Sequence, residues 1–329
     1  FPDLYKSLKK IEEFCNEKWR APLLPWFTSH DVSHSKEIIH LLEQILSPIE
    51  DTPACLNEHE LFILLASADL HDIGMQNLKV EDISVDKLTS DEYEIIRKRH
   101  AEESYNIILK SVQKSLVRDD FHLPEIEEEY LPVIAWVSKG HATEFFDETI
   151  QHFRENPATP LSRRVKGELL ASLLLIADEL DLQSKRVKFR ETAKFNPSDF
   201  SYVHWFKHHY VDFVEIKNGD ISLTLKFPVN ADEYKELIRE LIETKLKVQI
   251  DKVNPILREA TSGLLHLNRN ISIQIKIDDT NIKRVLTNGA LKELKKMLKI
   301  EAPEKSPVIQ KEDIIHRNIP RPTSIFTGR

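Results

Sequence analysis

Five short words in this chain carry side chains that could do chemistry: His34, the doublet His71-Asp72, His100, His141 and Asp178. Each supplies an imidazole or a carboxylate, the neutral nitrogens and anionic oxygens that bind first-row divalent metals. The doublet is the most telling of them. It closes the run Leu64-Leu65-Ala66-Ser67-Ala68-Asp69-Leu70-His71-Asp72-Ile73-Gly74. Two consecutive polar groups bring nothing to packing there, and burying one without a partner costs about 1–3 kcal/mol. A surface or capped core position would account for any one of these histidines alone, but not for five words together; a metal site accounts for all of them. In Thr28-Ser29-His30-Asp31-Val32-Ser33-His34 two histidines stand four apart and would share one helix face. The apolar stripe Ile38, Ile39, Leu41 and Leu42 continues from His34, which is therefore the candidate ligand. His30 precedes that stripe and is expected on the pocket rim or behind a ligand.

The elements that must position these groups are mostly helices. Leu4, Leu8, Ile11 and Phe14 have helical spacing, and Leu61 to Ala68 is apolar nearly all round, which predicts a buried central helix. Further helices are expected over Glu94 to Val112, with His100 in the first half, over Leu131 to Lys139 just before His141, and over Val165 to Leu182. In the last of these Leu169, Leu173, Ile176, Ala177 and Leu180 face the core and leave Asp178 at its inner edge. Asp181 lies three residues on, where it either hydrogen-bonds a ligand histidine from behind or is plain surface charge.

The texture changes near residue 190. Tyr210 to Lys217, Asn218-Gly219, and Asp220 to Phe227 read as an alternating hairpin with a type I′ turn. A long helix is expected from Ala231 to about Ile250, ended near Pro255, and Ile271 to Ile277 alternates as a third strand. The expected fold is therefore mainly α. A helical domain spans 1–190, an appended α+β (β-β-α-β) unit spans 191–300, and 301–329 is a proline-rich linker.

The ordered words resemble the HD-domain superfamily of metal-dependent phosphohydrolases. The leading word is His34-Ser35-Lys36-Glu37-Ile38, the doublet is Leu70-His71-Asp72-Ile73-Gly74, and the closing word is Ile176-Ala177-Asp178-Glu179-Leu180-Asp181; the likeness covers roughly residues 20–190. The resemblance implies that His34, His71, Asp72 and Asp178 hold one metal. It also implies that His100 and His141 hold a second in the bimetallic branches, with Asp72 bridging. The chain departs from the best-known substrate classes. Met75 stands where the cyclic-dinucleotide phosphodiesterases carry a Lys, Gly140-His141 stands where they double the His, and no GYP tripeptide follows. The Gly-His-x-Pro-Phe stretch of the deoxynucleotide triphosphohydrolases and the Glu-Asp pair of alarmone hydrolases are not found either.

A second, shorter resemblance lies in Ile319-Pro320-Arg321-Pro322-Thr323-Ser324-Ile325-Phe326-Thr327-Gly328-Arg329. It is similar to the lead-in of STAND-type P-loop NTPase domains, and an ordinary unstructured tail is the other reading. The resemblance implies an N-terminal effector whose partner is a C-terminal NTPase domain, in an architecture that often serves antiviral defence.

Composition bounds the remaining classes. Seven glycines among 329 residues, against 41% hydrophobic and 30% charged, fit helices with few tight turns. Cys15 and Cys55 have no metal-type spacing and suggest no disulfide framework, so a cytoplasmic location is expected. No apolar run reaches the roughly 20 residues of a membrane span, and a net charge of −8 argues against a broad nucleic-acid surface.

The chemistry expected of such a site is hydrolysis of a phosphate ester in a nucleotide or a nucleotide-derived signal. One or two divalent ions would lower the pKa of water towards neutrality and supply hydroxide, with His71 and Asp72 at the centre. Histidine-rich ligation favours Mn, Fe, Co, Ni or Zn over Mg. Cations are needed to clamp phosphate: Lys139 is the first candidate, followed by Arg97, Lys98, Arg99, Arg163, Arg164, Lys166, Lys185 and Arg186. His204-Trp205-Phe206-Lys207-His208-His209-Tyr210 interleaves aromatics with cations, which either stack bases and hold phosphates or pack the sheet on the helices, the reading preferred here. Two alternatives stay open: an HD nuclease acting on single-stranded DNA or RNA, and a non-catalytic regulatory module stapled by its metal.

Overall fold

The computed structural model describes residues 2–20, 32–76, 90–111, 123–187, 199–278 and 286–301. Among them the chain is mainly helical, with one three-stranded sheet appended. The first seven helices are α1 (Pro2–Lys18), α2 (Val32–Leu46), α3 (Glu58–Leu70), α4 (Ser90–Lys110), α5 (Leu131–Lys139), α6 (Thr143–Glu155) and α7 (Gly167–Leu180). After them come α8 (Asp199–Tyr210), β1 (Val211–Lys217), β2 (Asp220–Phe227), α9 (Lys235–Ala260), β3 (Ser272–Ile277) and α10 (Asn288–Glu301).

Helix α3 is central, as its all-round apolar sequence requires. It starts with a capping box: the Asn57 side chain accepts from the N–H groups of His59 and Glu60, and Glu60 accepts from the Asn57 N–H at 3.0 Å. Glu60 is fully buried and also takes the Lys166 N–H at 2.9 Å, tying the start of α3 to the start of α7. Both helices are buried on nearly every face.

The doublet sits at the end of α3 rather than inside it. The His71 N–H still donates to Ser67 O at 2.8 Å, and the chain then tightens into a 3₁₀ turn over Ile73–Gln76. Gly74 makes this turn fit. A Cβ there would stand 2.1 Å from His100 O and 2.6 Å from Ser104 N, both backbone atoms of α4. The missing side chain lets α4 lie directly against the doublet.

In the sheet, β1 and β2 form the expected hairpin, with Lys217 opposite Asp220. Asn218 (φ 51) and Gly219 (φ 82) are both left-handed, as a type I′ turn demands. Strand β3 pairs parallel to β2, Ser222 with Ser272 through Phe227 with Ile277, so α9 is the crossover between them. Pro255 does not end α9, which runs on to Ala260. Val253 and Leu257 are buried beside it, and the Asn254 side chain binds Leu267 through both N–H and C=O. Packing thus retains the helical path despite the missing N–H. One apolar core runs from Ile11 to Met297 through helices and sheet alike. No helix among the described residues is long and apolar enough to cross a membrane.

Candidate metal centre

Helix ends assemble the site. His71-Asp72 follows the C-terminus of α3, His141 follows that of α5 after Gly140, and Asp178 lies in the last turn of α7. The partial negative charge at three helix C-termini favours a cation where they meet. His34 comes from the first turn of α2, and His100 from the middle of α4.

The structure brings all six of these residues together. Asp72 Oδ2 lies 2.9 Å from His71 Nε2 and 3.4 Å from His34 Nε2, while Asp178 Oδ1 lies 3.1 Å from His34 Nε2. On the other side of the same carboxylate, Oδ1 lies 3.2 Å from His100 Nε2 and 3.6 Å from His141 Nε2. His34, His71 and Asp178 form one group that could hold a metal ion, and His71, Asp72 and His141 form another.

The donor chemistry of the rings makes the fit specific. His34 Nδ1 meets Asp181 Oδ2 at 2.6 Å, His71 Nδ1 meets Ala68 O at 2.9 Å and His141 Nδ1 meets Ser138 O at 2.5 Å. His100 Nδ1 meets Arg97 O. Each Nδ1–H thus has an acceptor, which turns the Nε2 atoms toward one another: His34 to His71 at 3.2 Å, and His100 to His141 at 2.9 Å. Facing ring nitrogens need a positive charge between them, which a proton on one ring or a shared divalent cation supplies. The residues therefore fit a divalent metal centre with Asp72 facing both halves.

Electrostatics show the same demand for positive charge. Burial and the Arg186 guanidinium oppose protonation of His34, yet Asp178, Asp181 and Asp72 together raise it to about 10. Burial would raise the Asp178 carboxyl, but the His34 hydrogen bond and the His34, His71 and His141 rings hold it far below the usual carboxylate range. Burial, reinforced by His71 and His100, lowers His141 to about 3, so its lone pair is available at neutral pH.

A cavity of about 340 Å³ opens on Asp72, His100, His141 and Asp178. Of the expected phosphate clamps, Arg97, Lys98 and Arg186 line it. Lys139 does not: both Glu148 oxygens hold its Nζ at 2.9 Å, and the rings of Tyr105, Trp136 and Phe145 enclose it. Lys185 is turned to Glu37 and Arg99 to Glu102 and Glu103, while Arg163, Arg164 and Lys166 also lie off this cavity. His30 and Ile319–Arg329 fall outside the described residues. Asp181 proves to be 1% exposed and bonded to His34, not a surface charge.

The cationic-aromatic word of α8 both packs into the core and lines the cavity. Val203, Phe206 and Tyr210 are buried in the core, while His204, Trp205, Lys207 and His208 line the cavity. The sequence reading missed Lys245, whose Nζ lies 3.1 Å from Glu179 Oε2 opposite Lys207 at 3.3 Å. Burial would raise the Glu179 carboxyl, but these two ammonium groups keep it below its usual value. Met75, within the turn that follows the doublet, also lines the cavity.

The family model for HD-CE matches residues 24–254, more than half of the chain and every residue of this cluster. A search of curated proteins and of solved structures found no significant match.

Proposed function

The chain belongs to the HD-CE family, and from that premise we propose a metal-dependent phosphohydrolase acting on a nucleotide or a nucleotide-derived signal. The observation that carries this reading is the two-sided Asp72 carboxylate, with imidazoles converging on each oxygen at the floor of an open cavity. His34, His71, Asp72 and Asp178 would hold one ion, and His100 and His141, with Asp72 between, a second. When bound, such ions supply the positive charge that acidifies water and neutralises a phosphate.

The chain's own groups do the rest. Asp181 and the carbonyls of Ala68, Ser138 and Arg97 fix the four rings with Nε2 inward. Arg97, Lys98 and Arg186 on the cavity wall offset the charge of an incoming phosphate. Access from the cavity to Asp72, His100, His141 and Asp178 favours catalysis over the metal-stapled module, since structural sites are closed. The effector role beside a STAND-type NTPase rests on Ile319–Arg329 alone.

Metal analysis with phosphate-ester turnover on wild type and the His71→Ala/Asp72→Ala double variant tests the proposal. Mn²⁺, Ni²⁺ and Mg²⁺ are each offered with nucleotides, cyclic nucleotides and single-stranded oligonucleotides. Metal-dependent turnover that vanishes in the double variant is expected. Oligonucleotides as the preferred substrate would replace the nucleotide reading with the nuclease, and wild type that binds no metal after reconstitution would end the proposal.

A further inference from the structure

The sheet closes one of its edges and leaves the other open. On the β1 side α2 packs against the strand, and Gln44 Oε1 accepts the Ile216 N–H at 2.7 Å. β3 is the opposite edge, and among the described residues no strand or side chain pairs with its outer side. The ladder to β2 decides which groups face out. The Asp278 N–H donates to Phe227 O at 2.8 Å, and alternate residues of a strand turn their main-chain groups to opposite neighbours. Gln274 and Lys276 therefore bond to β2, while Ile273, Ile275 and Ile277 direct both N–H and C=O outward.

The side chains of these isoleucines are left incomplete in the same way. In the parallel register Ile273, Ile275 and Ile277 stand beside Leu223, Leu225 and Phe227, on the face turned to the core. That β2 row is at most 2% exposed, whereas Ile273 and Ile275 are only half-buried and Ile277 is 48% exposed. An apolar row covered on one strand and open on the next is completed by a further strand of the same alternation, which also takes up the outward main-chain groups.

The sequence of β3 says which strand fits. Ile271-Ser272-Ile273-Gln274-Ile275-Lys276-Ile277 is symmetric in its apolar positions about Gln274. We infer that β3 docks antiparallel against β3 of a second copy of this chain, joining two sheets across a two-fold axis at Gln274. Ile273 then meets Ile275 in both directions, and Ile271 meets Ile277, all on the core face. Ile273 and Ile275 carry the outward N–H and C=O groups, so they make the hydrogen-bonded pairs and Gln274 faces its counterpart in a non-hydrogen-bonded pair. On the other face Lys276 meets Ser272, so no like charges stand opposite each other; an axis at Lys276 would oppose two ammonium groups. A two-fold interface needs such self-complementarity, whereas a strand from a different protein would not require the symmetry. The inference is independent of the phosphohydrolase reading and stands or falls without it.

The test is sedimentation of the whole chain over a range of concentrations, with wild type expected to pass from monomer to dimer. Gln274 is exposed, so its replacement leaves the fold intact. Gln274→Glu and Gln274→Lys each set like charges against each other at the axis, and each alone should weaken the dimer severalfold. Mixed in equal amounts they should restore it, because the carboxylate then meets the ammonium. Cross-linking gives a second readout, with the exposed Cys55 first replaced by Ser. Gln274→Cys should join two copies under mild oxidation, since Cα atoms across a non-hydrogen-bonded pair stand about 4.5 Å apart, within reach of a disulfide. Glu215→Cys, on the strand whose edge α2 covers, should not. Hydrogen exchange should protect the Ile273 and Ile275 amides only at concentrations that give the dimer. Wild type that stays monomeric overturns the inference, and so does a dimer that neither charge variant weakens or that their mixture fails to restore. Protection of those amides in the monomer also overturns it, because the chain would then cover this edge itself.

Discussion

On its Oδ2 side Asp72 meets His34 and His71, each 1% exposed and neither on the cavity wall, whereas on its Oδ1 side it meets His100 and His141, which line that wall. The supports differ as well. His34 is backed by the buried Asp181 carboxylate, while His100 and His141 are backed by backbone carbonyls only. A carboxylate behind an imidazole raises its basicity and fixes its orientation. The Oδ2 half is thus the enclosed one and the Oδ1 half the one open to the cavity, and Asp72 spans both.

The largest break in this comparison is expected from Gly74→Ala. The new Cβ would collide with backbone atoms of α4, so the helix carrying His100 must retreat. Overpacking of this kind costs about 1–3 kcal/mol, which a urea midpoint reads directly. Bound metal per chain should fall by the Oδ1-side ion alone. Loss of both ions together, or of neither, would mean that the halves are not independently built.

A smaller change is expected from Asp181→Asn, which keeps the shape but removes the negative charge behind His34. Affinity for the more tightly bound ion should drop by about 10–100-fold, with the weaker ion unaffected. Competition against a fluorescent chelator separates the two. Equal weakening of both ions would sink the assignment of Asp181 to one half.

The smallest effect concerns pH. In the metal-free chain His34 is raised from 6.5 to about 10, so its protonated form favours the folded state. That contribution is fully present below pH 6.5 and is lost as pH rises through about 10. The melting temperature of the chelator-treated chain should therefore fall across this window, and Asp181→Asn should flatten the fall. A melting temperature that instead rises from pH 7 to 10 would contradict the carboxylate cage around His34.

The imidazole end of the site was legible in the sequence because burial makes polar groups conspicuous. His71 and Asp72 interrupt an apolar run, and Asp178 interrupts another. The cationic lining was legible only in part: Arg97, Lys98, Arg186 and Lys207 were named from the sequence, and Lys245 was not. Lys245 stands between Glu243 and Lys247 in a charged stretch of α9, where nothing local separates a cavity lysine from a solvated one. Lys139 misled in the opposite direction: nearness in sequence to His141 places it one helical step away from the cavity, among rings that sequence spacing does not bring together. The strands were readable from alternation, but the parallel pairing of β3 was not, since direction depends on where α9 crosses. Pro255 follows the same pattern, a local stop signal overridden by the burial of Val253 and Leu257.

The β2–β3 pairing has a consequence for the order in which the molecule is made. The pairing joins residues on either side of the 26-residue helix α9, a contact that forms only after a long stretch of chain has emerged. The six imidazole and carboxylate groups all precede α8, whereas Lys207 and Lys245 reach the cavity from α8 and α9. During synthesis all six candidate ligands therefore emerge before the residues of α8 and α9 that line the cavity.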